Sequence, residues 1–222
     1  MSKILSEKPK IEIICGDCLD VLKSMSDKSV DLVLTDPPYG RNKADWDKED
    51  MGFLVKVFNL LYQKMKENSW LIFDYDRTRI LKLPLFTNDF VFVDVIGVNY
   101  SNTMGNCFCG FSPLELKFIF KKGKPKVIKR YKNLITTIRS QNNSDNLRAQ
   151  HPTSKSIEPY SKVMEMFSRK GDTILDPFMG SGTTLVAAAN LNRNAIGIEI
   201  SEKYCAIAEE RIMRVLNQGK LF

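Results

Sequence analysis

Residues 172–200 read DTILDPFMGSGTTLVAAANLNRNAIGIEI, and the fold prediction rests on this stretch. A short apolar run ends at Asp176 and predicts a buried strand. A turn with two glycines follows, then an alanine-rich segment that predicts a helix, and then a second apolar run that ends near Glu199. A strand, a tight turn, a helix and a second strand in this order are typical of the βαβ unit of a parallel sheet.

The same alternation extends through most of the chain. Most apolar runs are continuous rather than alternating, which indicates that both faces of the sheet are covered. Apolar runs predict strands at 11–15, 30–35, 69–73, 90–98, 116–120, 172–176 and 195–200. Helical spacing predicts helices within 50–68, 156–171, 182–194 and 201–217, with Gly171 as the stop of the second. This pattern predicts an α/β fold with a doubly wound, mostly parallel sheet.

The length and composition suit a single domain. The chain has 222 residues, 43% of them hydrophobic, which is enough for one full core over residues 1–222. Two polar segments, 99–113 and 125–156, interrupt the alternation and predict loops or insertions at one end of that domain. We therefore expect an embedded loop region at 99–150.

Other classes of protein are disfavoured. The sequence has no apolar run long enough to span a membrane and no N-terminal pattern of a secretory signal. Its five cysteines form no disulfide-like framework, which favours a reducing cytoplasm. Cys15 and Cys18 have CxxC spacing, but there is no second such pair and the single histidine, His151, is distant, so no metal site is expected.

Positive charge is concentrated in one segment. The formal net charge is +7, and from Lys117 to Arg148 there are ten Lys or Arg residues and one acid, Asp145. The rest of the chain is therefore slightly acidic. Such a segment is a candidate contact surface for nucleic-acid phosphates. A solvated surface loop is the alternative interpretation.

The glycine turn after Asp176 predicts a ligand site. Gly180 and Gly182 allow a ligand to approach the backbone, and Glu199 follows the next strand, where an acid can bind ribose hydroxyl groups. The turn lacks GxGxxG spacing and has no basic residue to pair a pyrophosphate, which favours a nucleoside without phosphates. An ordinary βα turn is the alternative.

A second stretch, LVLTDPPYG at 32–40, has an unusual strand end. Its apolar part predicts a buried strand, which stops on Asp36 and two prolines. Because proline fixes φ and removes a backbone donor, the acceptor groups of this turn are held in place. Tyr39 offers an aromatic face on which a base can stack. The alternative is a proline turn with Tyr39 as a lid on the core.

Together with the glycine turn, DPPY closely resembles the motifs of amino-methyltransferases that use S-adenosylmethionine. The family motif is Asp/Asn/Ser-Pro-Pro-Tyr/Phe, and the Phe-x-Gly-x-Gly cofactor motif stands here at 178–182. HPTSKS at 151–156 resembles the HPTQKP segment of the family. The order of the three is similar to that of the β class of DNA N4/N6-methyltransferases. This resemblance implies a Rossmann-like methyltransferase sheet with a circularly permuted motif order.

The resemblance also implies a cofactor, S-adenosyl-L-methionine, and direct in-line transfer of its methyl group to a base flipped out of DNA. Asp36 and the main-chain carbonyl of Pro37 would accept the N–H groups of the base, with Pro38 and Tyr39 completing the catalytic motif. The cofactor-binding residues it implies are Asp17, Cys18, Asp36, His151, Thr153, Lys155, Asp176, Phe178, Gly180, Ser181, Gly182, Thr183 and Glu199.

Double-stranded DNA is the substrate that the resemblance implies, and 99–150 is its target-recognition region. Basic side chains there would bind phosphates, which adds affinity but little sequence information. Trp46, in the loop after DPPY, would cover the flipped base, or alternatively pack on the following helix. The candidate DNA contacts are Lys129, Arg130, Lys132, Arg139, Arg148 and Trp46.

The leading hypothesis is a site-specific DNA adenine-N6 methyltransferase, because Asp before Pro-Pro-Tyr favours adenine. A DNA cytosine-N4 methyltransferase uses the same acceptor geometry and stays open as an alternative. A methyltransferase for RNA or protein glutamine is disfavoured by the motif order, and a catalytically inactive DNA-binding partner by the intact motifs. A homodimer and a cognate restriction endonuclease are the further partners considered.

Overall fold

The computed structural model describes residues 8–38, 51–87, 89–100, 106–107, 110–111, 114–130, 136–138 and 155–218. Ten strands lie within these ranges: β1 (Ile11–Cys15), β2 (Val30–Thr35), β3 (Met65–Asp74), β4 (Val91–Tyr100), β5 (Asn106–Cys107), β6 (Gly110–Phe111), β7 (Leu114–Lys122), β8 (Thr136–Ile138), β9 (Thr173–Asp176) and β10 (Asn194–Glu199). Eight of them form one sheet in the order β1-β10-β9-β2-β3-β7-β4-β8, while β5 and β6 pair only with each other.

The sheet is mostly parallel. β1, β10, β9, β2 and β3 are parallel neighbours, β7 is antiparallel to both β3 and β4, and β8 is parallel to β4. In β2, Leu32 and Leu34 pack in one core layer and Val33 in the other. Successive side chains of a strand point to opposite faces, so burial on both faces explains the continuous apolar runs of the sequence.

Helices cover both faces of the sheet. They are α1 (Cys18–Ser24), α2 (Met51–Lys64), α3 (Ile157–Phe167), α4 (Thr183–Asn190) and α5 (Glu202–Gln218), and a 3-10 segment spans Arg77–Leu85. α1, α2 and the 3-10 segment share one hydrophobic cluster with the sheet, and α3, α4 and α5 share the other. Within the described ranges, no helix is both long and apolar enough to cross a membrane.

The winding of the chain reverses between β9 and β2, which are neighbours in the sheet. The connection from β9 to β10 runs through α4, which covers one face of the sheet. The connection from β2 to β3 runs through α2, which covers the opposite face. Ligand crevices in such sheets form at the carboxyl ends of the strands where the winding reverses. Asp176 ends β9 and Asp36 follows β2, so both acids lie at this crevice.

The predicted α/β fold is confirmed, and all seven predicted strands are present. Five of the described elements were missed: α1, the 3-10 segment, and the short strands β5, β6 and β8, which lie within segments predicted as loops. Each is too short to show a clear apolar period in the sequence. α3 ends at Phe167 rather than at Gly171. The N–H of Ser168 donates to the carbonyl of Met164 over 2.9 Å while Ser168 itself is already extended, which ends the helix there.

Candidate active site

Four neighbouring strands, β1, β10, β9 and β2, direct their carboxyl ends at one cavity of about 340 Å³. The strand order therefore brings together two motifs that are far apart in the sequence. The cavity is lined by Gly16, Asp17, Cys18, Asp36, Pro38, Phe53, Lys155, Tyr160, Asp176, Pro177, Phe178, Met179, Gly180, Ser181, Thr183, Thr184, Ile198, Glu199, Ile200 and Tyr204.

The glycine turn forms one wall of this cavity. Gly180 and Gly182 have φ of 51° and 78°, the left-handed region that disfavours other residues. A Cβ at Gly182 would also lie only 2.9 Å from the Cβ of Ala208 in α5. Both glycines are therefore required by the path of the chain, and the turn brings its backbone close to the cavity.

A buried arginine supports this turn from behind. Arg211, in α5, donates to the carbonyl and the hydroxyl of Ser181, the latter over 2.9 Å, and to the hydroxyl of Thr183 over 3.3 Å. The arginine lies one helix away from the motif that it holds. Sequence reasoning missed it, because a basic residue on an amphipathic helix gives no sign that it turns inward.

Asp176 fastens the end of β9 to the end of β2. Its carboxylate accepts hydrogen bonds from the hydroxyl groups of Thr35 and Thr184, each over 2.6 Å, and from the N–H of Phe178 over 3.1 Å. Burial raises the pKa of Asp176 to about 6, although these hydrogen bonds oppose the shift. The acid therefore holds the two halves of the crevice together as well as lining it.

Glu199 lies beside the glycine turn and lines the same cavity. Its two carboxylate oxygens accept backbone N–H groups, from Gly180 over 3.1 Å and from Ser201 over 2.9 Å. Burial raises the pKa of Glu199 against the effect of these bonds. A carboxylate has about four acceptor positions, so these two bonds leave capacity for ligand hydroxyl groups.

Asp17 and Cys18 stand at the end of β1. Asp17 caps α1, its Oδ1 accepting the N–H of Leu19 over 2.7 Å. Burial, with a smaller effect of the Asp17 charge, raises the pKa of the Cys18 thiol to about 12. Cys18 is therefore a neutral wall residue rather than a nucleophile. No group of three or more His, Cys, Asp or Glu side chains within the described residues could hold a metal ion.

Asp36 lies opposite the glycine turn and forms an ion pair with Lys155. The Nζ of Lys155 is 3.1 Å from Oδ2 of Asp36 and 3.0 Å from Oε2 of Glu115. Asp36, Pro38 and Lys155 all line the cavity. The structure therefore brings one residue of the HPT segment, Lys155, into contact with DPPY.

Several residues of the sequence hypothesis lie outside the described ranges. They are Tyr39, Trp46, Lys132, Arg139, Arg148, His151 and Thr153. For these, the roles implied by the sequence stay predictions.

The basic segment is less available to DNA than its charge indicated. Lys117 and Lys122 are buried, and Lys122 donates to the carbonyls of Tyr62 and Met65, so neither can be a phosphate contact. Lys129 pairs with Glu165 over 2.9 Å, whereas Arg130 is exposed. The count of basic residues in the sequence included side chains that β7 directs into the core. The predicted DNA-contact surface is therefore corrected by removing Lys117 and Lys122 from it.

Aromatic side chains complete the cavity. Phe53 of α2 contacts the ring of Phe178, with centroids 6.0 Å apart, and Tyr160 and Tyr204 come from α3 and α5. Phe53 lies within the helix predicted at 50–68, but sequence reasoning did not single out this residue or the two tyrosines as cavity residues. Helical periodicity identifies such residues as buried but does not show that they border a cavity.

The lining has an uneven charge. Its titratable acids are Asp17, Asp36, Asp176 and Glu199, against one ammonium, Lys155. Such a site disfavours phosphate and favours a ligand with positive charge and with hydroxyl or amino donors.

Comparison with known proteins gives a consistent result. The sequence model of a family described as DNA methylase matches residues 30–210. The Type II methyltransferase M2.MboI of Moraxella bovis is 26% identical, with 93% of this chain and 89% of that protein covered. The Type II methyltransferase M.HpaI of Haemophilus parainfluenzae is 29% identical, with 90% of this chain and 73% of that protein covered.

A solved structure has the same architecture. The crystal structure of the M1.HpyAVI–SAM complex matches with a TM-score of 0.74 and 28% sequence identity. The match covers 91% of this chain and 98% of that one.

Proposed function

This chain belongs to the DNA methylase family whose model matches residues 30–210, and we propose that it is a site-specific DNA methyltransferase that transfers the methyl group of S-adenosyl-L-methionine to the N6 amino group of adenine. The observation that carries the proposal is the cavity lining, with four acids and one ammonium beside a glycine turn. A sulfonium cofactor with ribose hydroxyls and an amino group suits this lining, and a phosphate does not.

The cofactor supplies a methyl group on a positively charged sulfur. We assign Glu199 to the ribose hydroxyl groups, because it keeps acceptor capacity beyond its two backbone donors. We assign Asp17 to the adenine amino group of the cofactor and Cys18 to the wall beside it. The turn of Phe178, Gly180, Ser181, Gly182 and Thr183, with Asp176, would enclose the remainder. His151 and Thr153 are proposed to close the site.

Asp36 is proposed to act on the target base. An exocyclic amino group is a weak nucleophile because its lone pair is delocalised into the ring. Hydrogen bonds from its N–H groups to Asp36 and to the carbonyl of Pro37 strengthen as positive charge grows on nitrogen, so they favour the transition state. Pro38 keeps this turn rigid, and Tyr39 is proposed to stack on the flipped base.

DNA is the substrate, and its contacts are part of the proposal. We infer that Arg130, Lys132, Arg139 and Arg148 bind phosphates within a target-recognition region at 99–150, inside a single domain of residues 1–222. Lys129 would join them by exchanging its Glu165 partner, which an exposed pair allows at low cost. Trp46 is proposed to cover the flipped base.

Membership in the family does not determine which base is methylated or which proteins are partners, so both are proposed here. The Asp of DPPY supports adenine N6, and cytosine N4 is the alternative because the same acceptors suit both amines. A homodimer, a cognate restriction endonuclease and a cytoplasmic location are also proposals.

Nucleoside mass spectrometry tests the function. Purified protein would be incubated with S-adenosyl-L-methionine and unmethylated plasmid DNA, which would then be digested to nucleosides. N6-methyladenine is the expected product, and sequencing would then locate the target. N4-methylcytosine would contradict the base assignment, and no methylated base, with the cofactor bound, would favour an inactive partner subunit.

A further inference from the structure

Five charged side chains of alternating sign form a row that begins at Asp36. Lys155 bridges Asp36 and Glu115, at 3.1 and 3.0 Å. Lys117 bridges Glu115, at 3.4 Å, and Asp74, whose two oxygens both lie 2.7 Å from its Nζ. Each ammonium therefore stands between two carboxylates. The row ends at Tyr160, whose hydroxyl donates to Asp74 over 2.8 Å.

The row crosses three neighbouring strands. Asp36 follows β2, Asp74 ends β3, and Glu115 and Lys117 lie on β7, where Lys117 is the register partner of Asp74. Residues two apart on a strand share a face, so both β7 side chains point the same way. Lys155, just before α3, joins the row to Asp36. Glu115, Lys117 and Asp74 belong to none of the three sequence motifs.

Stability alone gives little reason for this arrangement. The side chains of Lys117 and Asp74 are 0% exposed. Removing two charges from water is costly, and a buried ion pair often stabilises a protein no more than apolar side chains of similar volume. The informative property of the row is therefore its position, because it begins at Asp36, an acid that lines the cavity.

We propose that Glu115 is a positioning residue for the methyl transfer proposed above: it anchors Lys155, and the Lys155 ammonium in turn restrains the carboxylate of Asp36. Burial acts to raise the pKa of Glu115, but the charges of Lys155 and Lys117 outweigh it and hold the pKa below its usual range. A lowered pKa favours the ionised form of Glu115, which is the form that pairs with Lys155. Lys117, with Asp74 behind it, fixes Glu115 in turn.

The restraint matters because of what the reaction does. The carbon–sulfur bond breaks and leaves a neutral thioether, a carbon–nitrogen bond forms, the positive charge moves from sulfur to the amino nitrogen, and one N–H proton is then lost to solvent water. Asp36 must meet that nitrogen as an oriented acceptor before the charge develops. A carboxylate has about four acceptor positions, so an ammonium on Oδ2 still allows an amino group to bind.

The test is steady-state kinetics on Glu115→Gln, which keeps the shape and an acceptor but removes the charge. Misplacing a reacting group by about 1 Å can cost roughly a hundredfold in rate. We expect kcat to fall roughly ten- to hundredfold, with KM for S-adenosyl-L-methionine within about twofold of wild type. Glu158→Gln is the matched control, since Glu158 pairs with Lys162 on the exposed side of α3, and its kcat should not change.

A double-mutant cycle shows whether Glu115 acts through Lys155. In a Lys155→Met background, adding Glu115→Gln should lower kcat no further. A Glu115→Gln enzyme with wild-type kcat would overturn the proposal, as would effects that multiply in the double variant. A matching loss of cofactor affinity or thermal stability would also overturn it. If the wild type yields no methylated base, the proposed function fails first; if it does and Glu115→Gln is normal, only this inference fails.

Discussion

The two sides of the cavity hold their acids by different means. On the side of the glycine turn, Glu199 is held by the backbone N–H groups of Gly180 and Ser201. On the DPPY side, Asp36 is held by the side chain of Lys155, which depends on Glu115 and on a buried ion pair behind it. Backbone donors are supplied by the local chain conformation, whereas side-chain ammoniums must be brought from distant segments and desolvated.

This difference indicates which kind of substitution would disturb each side of the cavity. The glycine turn depends on φ values that few residues adopt, and it is supported by backbone hydrogen bonds together with the Arg211 side chain of α5. The DPPY side depends on charge balance among β2, β3, β7 and the start of α3. We therefore expect single charge changes to disturb the DPPY side most.

The largest effect is expected from Asp36→Ala, a change that tests the DPPY side of the cavity alone. Loss of the acceptor should lower the methylation rate roughly 10³-fold or more, because a preorganised electrostatic contact to the developing charge is removed. Cofactor binding, measured by calorimetry, should largely survive because the opposite wall is untouched. Full activity of this variant would contradict the assigned mechanism.

A smaller effect, measured here as a loss of stability, is expected from Lys117→Met. It leaves Asp74, whose pKa burial already raises, without its closest cation. Removing one partner of a buried pair costs about 3–5 kcal/mol in the free energy of unfolding. The double variant Asp74→Leu/Lys117→Met should recover most of that loss in urea unfolding. If the double variant were as unstable as the single one, the row would be essential to the fold itself.

The smallest effect concerns the pH dependence of stability on the glycine-turn side. The pKa of Asp176 is raised to about 6, against roughly 3.9 in an unfolded chain. Between these values the folded protein binds more protons than the unfolded chain, so stability falls as pH rises from about 4 to about 6, by up to about 3 kcal/mol.

Asp176→Asn cannot titrate, so its free energy of unfolding should decline less than that of the wild type across this pH range. Urea unfolding of both proteins at several pH values between about 4 and 7 measures the difference. Identical slopes would mean that Asp176 is not proton-linked to folding.

Much of the fold was predictable, because its strands are continuous apolar runs between helical patterns. The prediction failed where the pattern was short, as in α1, whose seven residues carry only two buried positions. It also failed to distinguish basic residues that face solvent from Lys117 and Lys122, which the sheet turns inward. The sequence of a strand indicates which side chains share a face of the sheet. It does not indicate which polar side chain will have a buried partner.

The sequence alone determined the βαβ unit, the glycine turn and the DPPY strand end. Each is a contiguous segment whose conformation follows from apolar periodicity, from glycine at positive φ and from the fixed φ of proline. Only the tertiary structure placed Arg211 behind the glycine turn and aligned Asp36, Lys155, Glu115, Lys117 and Asp74 in one row. Those charges lie on separate segments, and they interact only after the sheet has set their register and removed the water between them.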